Sequence, residues 1–261
     1  MRSSKSANPS PIRASASEEP AVPAIRLGMI TPSSNTALEP MTAMLLGATP
    51  AVTAHFARIR VTEITIAEKG LAQFDPEPML AAASLLADMR PHAIVWNGTS
   101  GGWRGLDADR QLCAALTAAT GVPATTMTLA LVDLLRRQGL KRIAFVTPYT
   151  GDVQTKILAT FGAEGFQCNH SPCLGISENF AFATVAEPVL DRMVAEAAEA
   201  RPDVILPFCT NLAATPYALG WEDRYGLRVY DSIALAARAG IELAGGDPSV
   251  ITGFGSVFDR A

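Results

Sequence analysis

Arg90-Pro-His-Ala-Ile-Val-Trp-Asn-Gly-Thr-Ser100 and Arg201-Pro-Asp-Val-Ile-Leu-Pro-Phe-Cys-Thr-Asn211 are two versions of one stretch. Upstream of each lies a second matching pair, Arg26-Leu-Gly-Met-Ile-Thr-Pro-Ser-Ser-Asn35 and Arg142-Ile-Ala-Phe-Val-Thr-Pro-Tyr-Thr-Gly151. A weaker third pair sets Gly121-Val-Pro-Ala-Thr-Thr126 against Gly226-Leu-Arg-Val-Tyr-Asp231. From the upstream pair to the last, the offsets are 116, 111 and 105 residues. They shrink slowly, as a duplication with small loop deletions would produce. A period this long exceeds that of solenoid repeats and describes a duplicated domain half.

Each half reads as strand, helix, strand, helix, strand. Leu27–Ile30 with Ile143–Val146, and Ala93–Trp96 with Val204–Phe208, are the short apolar runs of buried parallel strands. Helical patterns lie between them over Pro78–Met89 and Pro188–Ala200, with a proline near each start, where a missing N–H costs nothing. Alternating strands and helices predict an α/β fold: two similar Rossmann-like, flavodoxin-like parallel-sheet halves with right-handed crossovers. Ligands in such sheets bind beyond the carboxyl ends of the strands. Those ends carry Thr31-Pro-Ser-Ser-Asn-Thr36, Asn97-Gly-Thr-Ser100, Thr147-Pro-Tyr149 and Cys209-Thr-Asn211, all rich in hydroxyl and amide groups. The active site is expected in the cleft where they face each other.

Composition removes several alternatives. With 49% hydrophobic and 18% charged residues, the 261-residue chain can bury a large core. A net charge of −4 gives no reason to expect nucleic acid or an anionic membrane, and no apolar run reaches membrane-spanning length. The four cysteines form no Cys-x-x-Cys pair and the three histidines stand alone, so no metal site or disulfide framework is expected, and with no Gly-x-Gly-x-x-Gly after a strand no cofactor is expected either. Free thiols fit a reducing, cytoplasmic compartment. Residues 1–24, rich in Ser, Pro and Ala and without an apolar signal segment, are expected to form a disordered tail.

With the four loops in hand, the chain resembles the aspartate/glutamate racemase superfamily, in the branch holding arylmalonate decarboxylase and maleate cis–trans isomerase. Pro32-Ser-Ser-Asn-Thr36 and Cys209-Thr-Asn211 are similar to the isomerase group. Gly98-Thr-Ser100, Gly121-Val-Pro-Ala-Thr-Thr-Met127 and Thr147-Pro-Tyr-Thr-Gly-Asp-Val153 are more like the decarboxylase. The resemblance implies that residues 231–261 cross back to complete a first half formed with residues 25–120, leaving 121–230 as the second half. It also implies two facing cysteines in a racemase, one at each side of a planar carbanion. Here one of the two positions is Gly98, as in the decarboxylase, and only Cys209 remains.

Cys209 is therefore the expected catalytic residue, a general acid whose ordinary thiol pKa would need little tuning. Buried cysteine is also a common core residue, but a polar loop mirroring Gly98-Thr99-Ser100 favours chemistry. Thr99 and Ser100 could cap a helix or hold a carboxylate. Tyr149 could line a turn or donate to an oxyanion. Pro32, Ser33 and Asn35 on one side, and Thr210 and Asn211 on the other, complete the expected substrate-binding set. The leading expectation is a cofactor-independent decarboxylase of a small substituted malonate, with an enediolate protonated from one side. A cysteine-dependent isomerase or racemase is the alternative, and a non-catalytic carboxylate-binding protein the third reading. In each the partner is a small carboxylate, and the sequence leaves the oligomeric state open. On the first reading, Gly98→Cys would install a second acid opposite Cys209.

Overall fold

The computed structural model describes residues 25–47 and 49–260. The expected tail, 1–24, lies outside the described residues. Strands β1 (Ile25–Pro32), β2 (Val52–Ile59), β3 (Ala93–Trp96) and β4 (Ala124–Thr126) form one parallel sheet in the order β2-β1-β3-β4. Strands β5 (Arg142–Val146), β6 (Gln167–Cys168), β7 (Val204–Pro207) and β8 (Arg228–Val229) form a second, in the order β6-β5-β7-β8. The orders are identical, and so is the register at the centre. Leu27 pairs with Ala93 in the first sheet, and Ile143 with Val204 in the second. Those pairs stand at the repeat offsets read from the sequence.

Smaller details repeat too. Among the described residues, Arg90 and Arg201 are the non-glycines with positive φ, at 52° and 44°. Each precedes a proline, which excludes the right-handed helical region. The helices Leu106–Thr120 and Ala218–Tyr225 end on Gly121 and Gly226, left-handed at φ 70° and 63°, a conformation open to glycine at no steric cost.

The sequence-based reading needs three adjustments. Each half has four strands rather than three: edge strands β2 and β6 lack the continuous apolar run of the central strands. The helix placed at Pro78–Met89 spans Pro76–Ala87, with both prolines in its first turn, and its counterpart spans Glu187–Glu199. β4 pairs with β3, so the first sheet extends to Thr126, past the boundary expected at residue 120. Helix Ser232–Leu243 follows β8 in the chain but packs against β1, β3, β4 and helix Met127–Arg137. Gly240 lets it come close: a Cβ there would already crowd Leu27 and Val95, at 3.1 and 3.2 Å.

Both sheets bury their strands completely at the centre, and their helices close over them. In the second half, Phe145, Phe161 and Phe208 pack edge-to-face with centroids 4.8–5.6 Å apart. One buried polar pair is shared between the halves in exchanged form. In the first, Thr126 caps helix Met127–Arg137 and its hydroxyl donates to Asp109 Oδ2 at 2.6 Å. In the second, Asp231 caps helix Ser232–Leu243 and accepts from Thr215 at 2.6 Å. Thr126 and Asp231 are repeat mates, so acid and hydroxyl have traded places. Burial raises both carboxyls to about 6.

Candidate active site

The carboxyl ends of the strands from both halves meet and are bonded to one another. Asn35, just past β1, uses its Oδ1 to accept from the N–H groups of Ala37 and Leu38, which starts the helix Leu38–Leu46. Its Nδ2 crosses to the other half and donates to Thr210 O at 3.0 Å and Thr210 Oγ1 at 3.3 Å. Thr210 Oγ1 in turn donates to Asn97 O at 2.7 Å. Asn211 Oδ1 accepts from Thr36 N and Ala37 N at 3.0 and 3.2 Å, and its Nδ2 donates to Asn179 O at 2.6 Å. Asn35, Thr210 and Asn211 thus lock the two tips together with every side-chain polar atom engaged.

Within this frame Cys209 lies just past β7, 3% exposed. Its Sγ accepts from Asn211 N at 3.4 Å. Burial pushes the thiol up to about 12, against smaller opposing effects of the Tyr149 hydroxyl and the N–H groups of Asn211 and Leu212; the Asp231 carboxylate adds to the rise. The thiol is therefore far from its ordinary acidity, contrary to the expectation that it needs little tuning. It stays protonated at neutral pH.

Tyr149, equally buried, places its hydroxyl 2.6 Å from Thr99 Oγ1, and burial raises its pKa well above the usual phenol range. Its ring is held edge-on by Trp103 at 5.3 Å and Phe182 at 5.4 Å, which form an apolar wall. Ser100 Oγ accepts from Trp96 Nε1 at 3.1 Å. An indole N–H can only donate, so the Ser100 proton remains available to another acceptor. Neither Thr99 nor Ser100 makes a side-chain cap to the short helix that follows. Gly98 lies at the tip of β3, repeat mate of Cys209.

Of the residues expected at the site, Asn35, Gly98, Thr99, Ser100, Tyr149, Cys209, Thr210 and Asn211 converge, and all are buried. Pro32 is buried at the end of β1, where its carbonyl accepts from Asn35 N. Ser33 does not join them. It is exposed, and its Oγ accepts from Val61 N at 3.3 Å, because the turn after Pro32 carries it away. Its neighbour Ser34 is the one that turns inward, donating to Val61 O and accepting from Asn179 Nδ2 at 2.8 Å. Sequence reading missed Ser34 and Asn179; Asn179 has no repeat mate that could have marked it.

A short bridge joins the two halves. Ile64 N donates to Ser177 O at 2.8 Å and Asn179 N to Thr62 O at 2.9 Å, pairing Glu63 with Glu178 in antiparallel fashion across the halves. One open cleft of the described surface reaches Trp103, beside Ile66, Leu71 and Lys156; another lies elsewhere. The latter runs along Arg137, Arg238 and Glu242, whose charges are paired with each other.

Comparison with known proteins agrees with this architecture. The family model for arylmalonate decarboxylase matches residues 27–258. The chain is 32% identical to an arylmalonate decarboxylase of Bordetella bronchiseptica over 161 residues, 61% of this chain and 67% of that one. It is 28% identical to a maleate isomerase of Geobacillus stearothermophilus over 216 residues, 78% and 85% of the two chains. The crystal structure of the maleate isomerase Iso from Pseudomonas putida S16 shares the fold, with a TM-score of 0.83, 24% identity and coverage of 90% and 98%. The matched span takes in both sheets and every converging side chain, and the chain belongs to the arylmalonate decarboxylase family.

Proposed function

We propose that the protein is a cofactor-independent decarboxylase acting on a small α-substituted malonate. The observation that carries this reading is the single buried thiol, Cys209, at the tip of one central strand, with Gly98 at the equivalent tip of the other. Ser100 and the Thr99–Tyr149 pair supply hydroxyl donors for one carboxylate. The other carboxylate lies against the wall of Trp103 and Phe182, where loss of charge is favoured over its retention. The bond from Cα to that carboxylate breaks, CO₂ leaves, and the electron pair stays as an enediolate held by the hydroxyls. Cys209 then gives its S–H proton to Cα, and the thiolate regains a proton from solvent.

A thiol that is a weak acid in the resting site suits this role, because it keeps its proton until a strong base forms beside it. An isomerase is the second reading, supported by the bonded contact between Pro32-Ser-Ser-Asn-Thr36 and Cys209-Thr-Asn211, the stretches that resemble the isomerases. The test offers purified protein phenylmalonate and maleate separately. CO₂ release from the first, surviving chelation and dialysis, supports the decarboxylase; fumarate from the second without CO₂ release would replace it with the isomerase.

A further inference from the structure

We propose that Trp96 is the residue that makes this site one-sided, an inference that deepens the decarboxylase reading and rests on it for its catalytic part. A Cβ built on Gly98 would stand 2.2 Å from Cζ2, 2.3 Å from Cε2 and 2.7 Å from Nε1 of the Trp96 indole. Non-bonded carbons do not approach that closely, so one of the two residues must move. Trp96 has nowhere to go. It is fully buried, edge-on to Phe74 at 6.4 Å, and its N–H is bonded to Ser100 Oγ. Positions 96 and 98 therefore share one volume, and the indole has taken it.

The second half shows the opposite choice. The repeat mates of Trp96 and Gly98 are Pro207 and Cys209. A compact residue two places earlier leaves room for a thiol at the tip. The expectation that Gly98→Cys alone would install a second acid is thereby corrected: the sulfur and its Cβ meet the indole first. Trp96 has a second role as a positioning residue. Its N–H occupies an acceptor lone pair of Ser100 and leaves that hydroxyl to donate to the substrate carboxylate.

Four variants test this: Gly98→Cys, Trp96→Leu, the double variant Trp96→Leu/Gly98→Cys, and Trp96→Phe. Each is examined by thermal melting, by steady-state turnover of phenylmalonates, and by NMR of α-hydrogen exchange into a single enantiomer of 2-phenylpropionate in D₂O. Gly98→Cys should melt roughly 5 °C or more below wild type and exchange no α-hydrogen above background. Should it not accumulate, Gly98→Ala makes the same contact with a methyl and gives the melting result. The double variant should recover part of that loss and exchange α-hydrogen at least about tenfold faster than wild type, because acids then stand at both sides. Trp96→Phe, which keeps a ring and loses the N–H, should lower kcat about tenfold with a smaller change in KM. Additive melting losses in the double variant, or a Gly98→Cys protein that melts like wild type and racemises, would overturn the shared volume. An unchanged kcat in Trp96→Phe would overturn the positioning role. If wild type decarboxylates no malonate, the decarboxylase reading fails, while the melting cycle still decides whether the two positions compete.

Discussion

The tips of β3 and β7 are the most instructive pair of places in the molecule. Their strands share register, flanking turns and even the positive φ of the arginine that precedes each one. Yet one tip reads Trp96-Asn97-Gly98 and the other Pro207-Phe208-Cys209. The backbone has stayed symmetric while side-chain volume has been redistributed along three residues. Bulk sits at the first position of one tip and at the second of the other, and the thiol stands where the preceding bulk is absent. On the proposed reading, a repeated architecture becomes asymmetric here through packing.

That contrast can be broken most severely at the thiol. Cys209→Ser should lower turnover by about a hundredfold to ten-thousandfold, since a hydroxyl is a much weaker acid. Melting should move by only a few degrees, and wild-type rates in the folded variant would reduce Cys209 to core filler. Next in size is the oxyanion side. Tyr149→Phe and Thr99→Val should each cost about a hundredfold in kcat. Their 2.6 Å bond makes them one unit, so the double variant should lose little more than either alone. Independent, multiplicative losses would show that the hydroxyls act separately.

The lock between the tips should appear in stability. Asn211→Ala leaves the buried carbonyl of Asn179 without its donor and takes an acceptor from Thr36 N, while Ala37 N keeps Asn35 Oδ1, and it should cost about 2 kcal/mol in denaturant unfolding. A loss below about 1 kcal/mol would mean the tips hold together without it.

The exchanged Thr–Asp pairs give a pH signature. Asp109 and Asp231 keep their protons up to about pH 6 in the folded protein, whereas in the unfolded chain they ionise near 3.8. The folded state then binds more protons between those values, so stability falls as pH rises from about 4 to about 6. Each carboxyl accounts for about 2–3 kcal/mol of that fall. Asp109→Asn should remove its share of the slope, and an unaltered slope would exclude it as the source. The smallest effect belongs to the strand starts. Asp203 accepts from Arg142 N and pairs with its guanidinium, while its repeat mate His92 accepts from Arg26 N through Nδ1. His92→Asp should copy the ion pair and add no more than about 0.5 kcal/mol, vanishing in high salt.

These features differ in how far the sequence revealed them. The central strands and the repeat were legible because a strand buried on both faces must be apolar throughout, and Ala93–Trp96 and Val204–Pro207 are. The edge strands were not. β2 mixes buried Val52 and Ile59 with exposed residues such as His55, and β6 has two residues, too few to form a pattern. Cys209, Thr99, Ser100 and Tyr149 were legible through their place at strand ends. Whether Ser33 or Ser34 faces inward was not, because a turn decides it and both are serine. The conflict between Trp96 and Gly98 was invisible for a different reason. It depends on where an indole lies across two residues of chain, which only packing fixes.

The Glu63–Glu178 bridge has a consequence for the stereochemistry of any product. Cys209 is sealed from solvent, and the Ile64–Ser177 and Asn179–Thr62 hydrogen bonds tie the halves together near it, so on the proposed reading their parting would open a way in for substrate and out for product. On the proposed reading, an enediolate formed behind the closed bridge can take its proton only from sulfur. One still present when the bridge opens can take it from water on either side. The fraction of the wrong enantiomer then measures a race between proton transfer and opening. Weakening the bridge without touching the thiol should speed release and degrade optical purity together, which turns enantiomeric excess into a stopwatch for a motion of the backbone that links the halves.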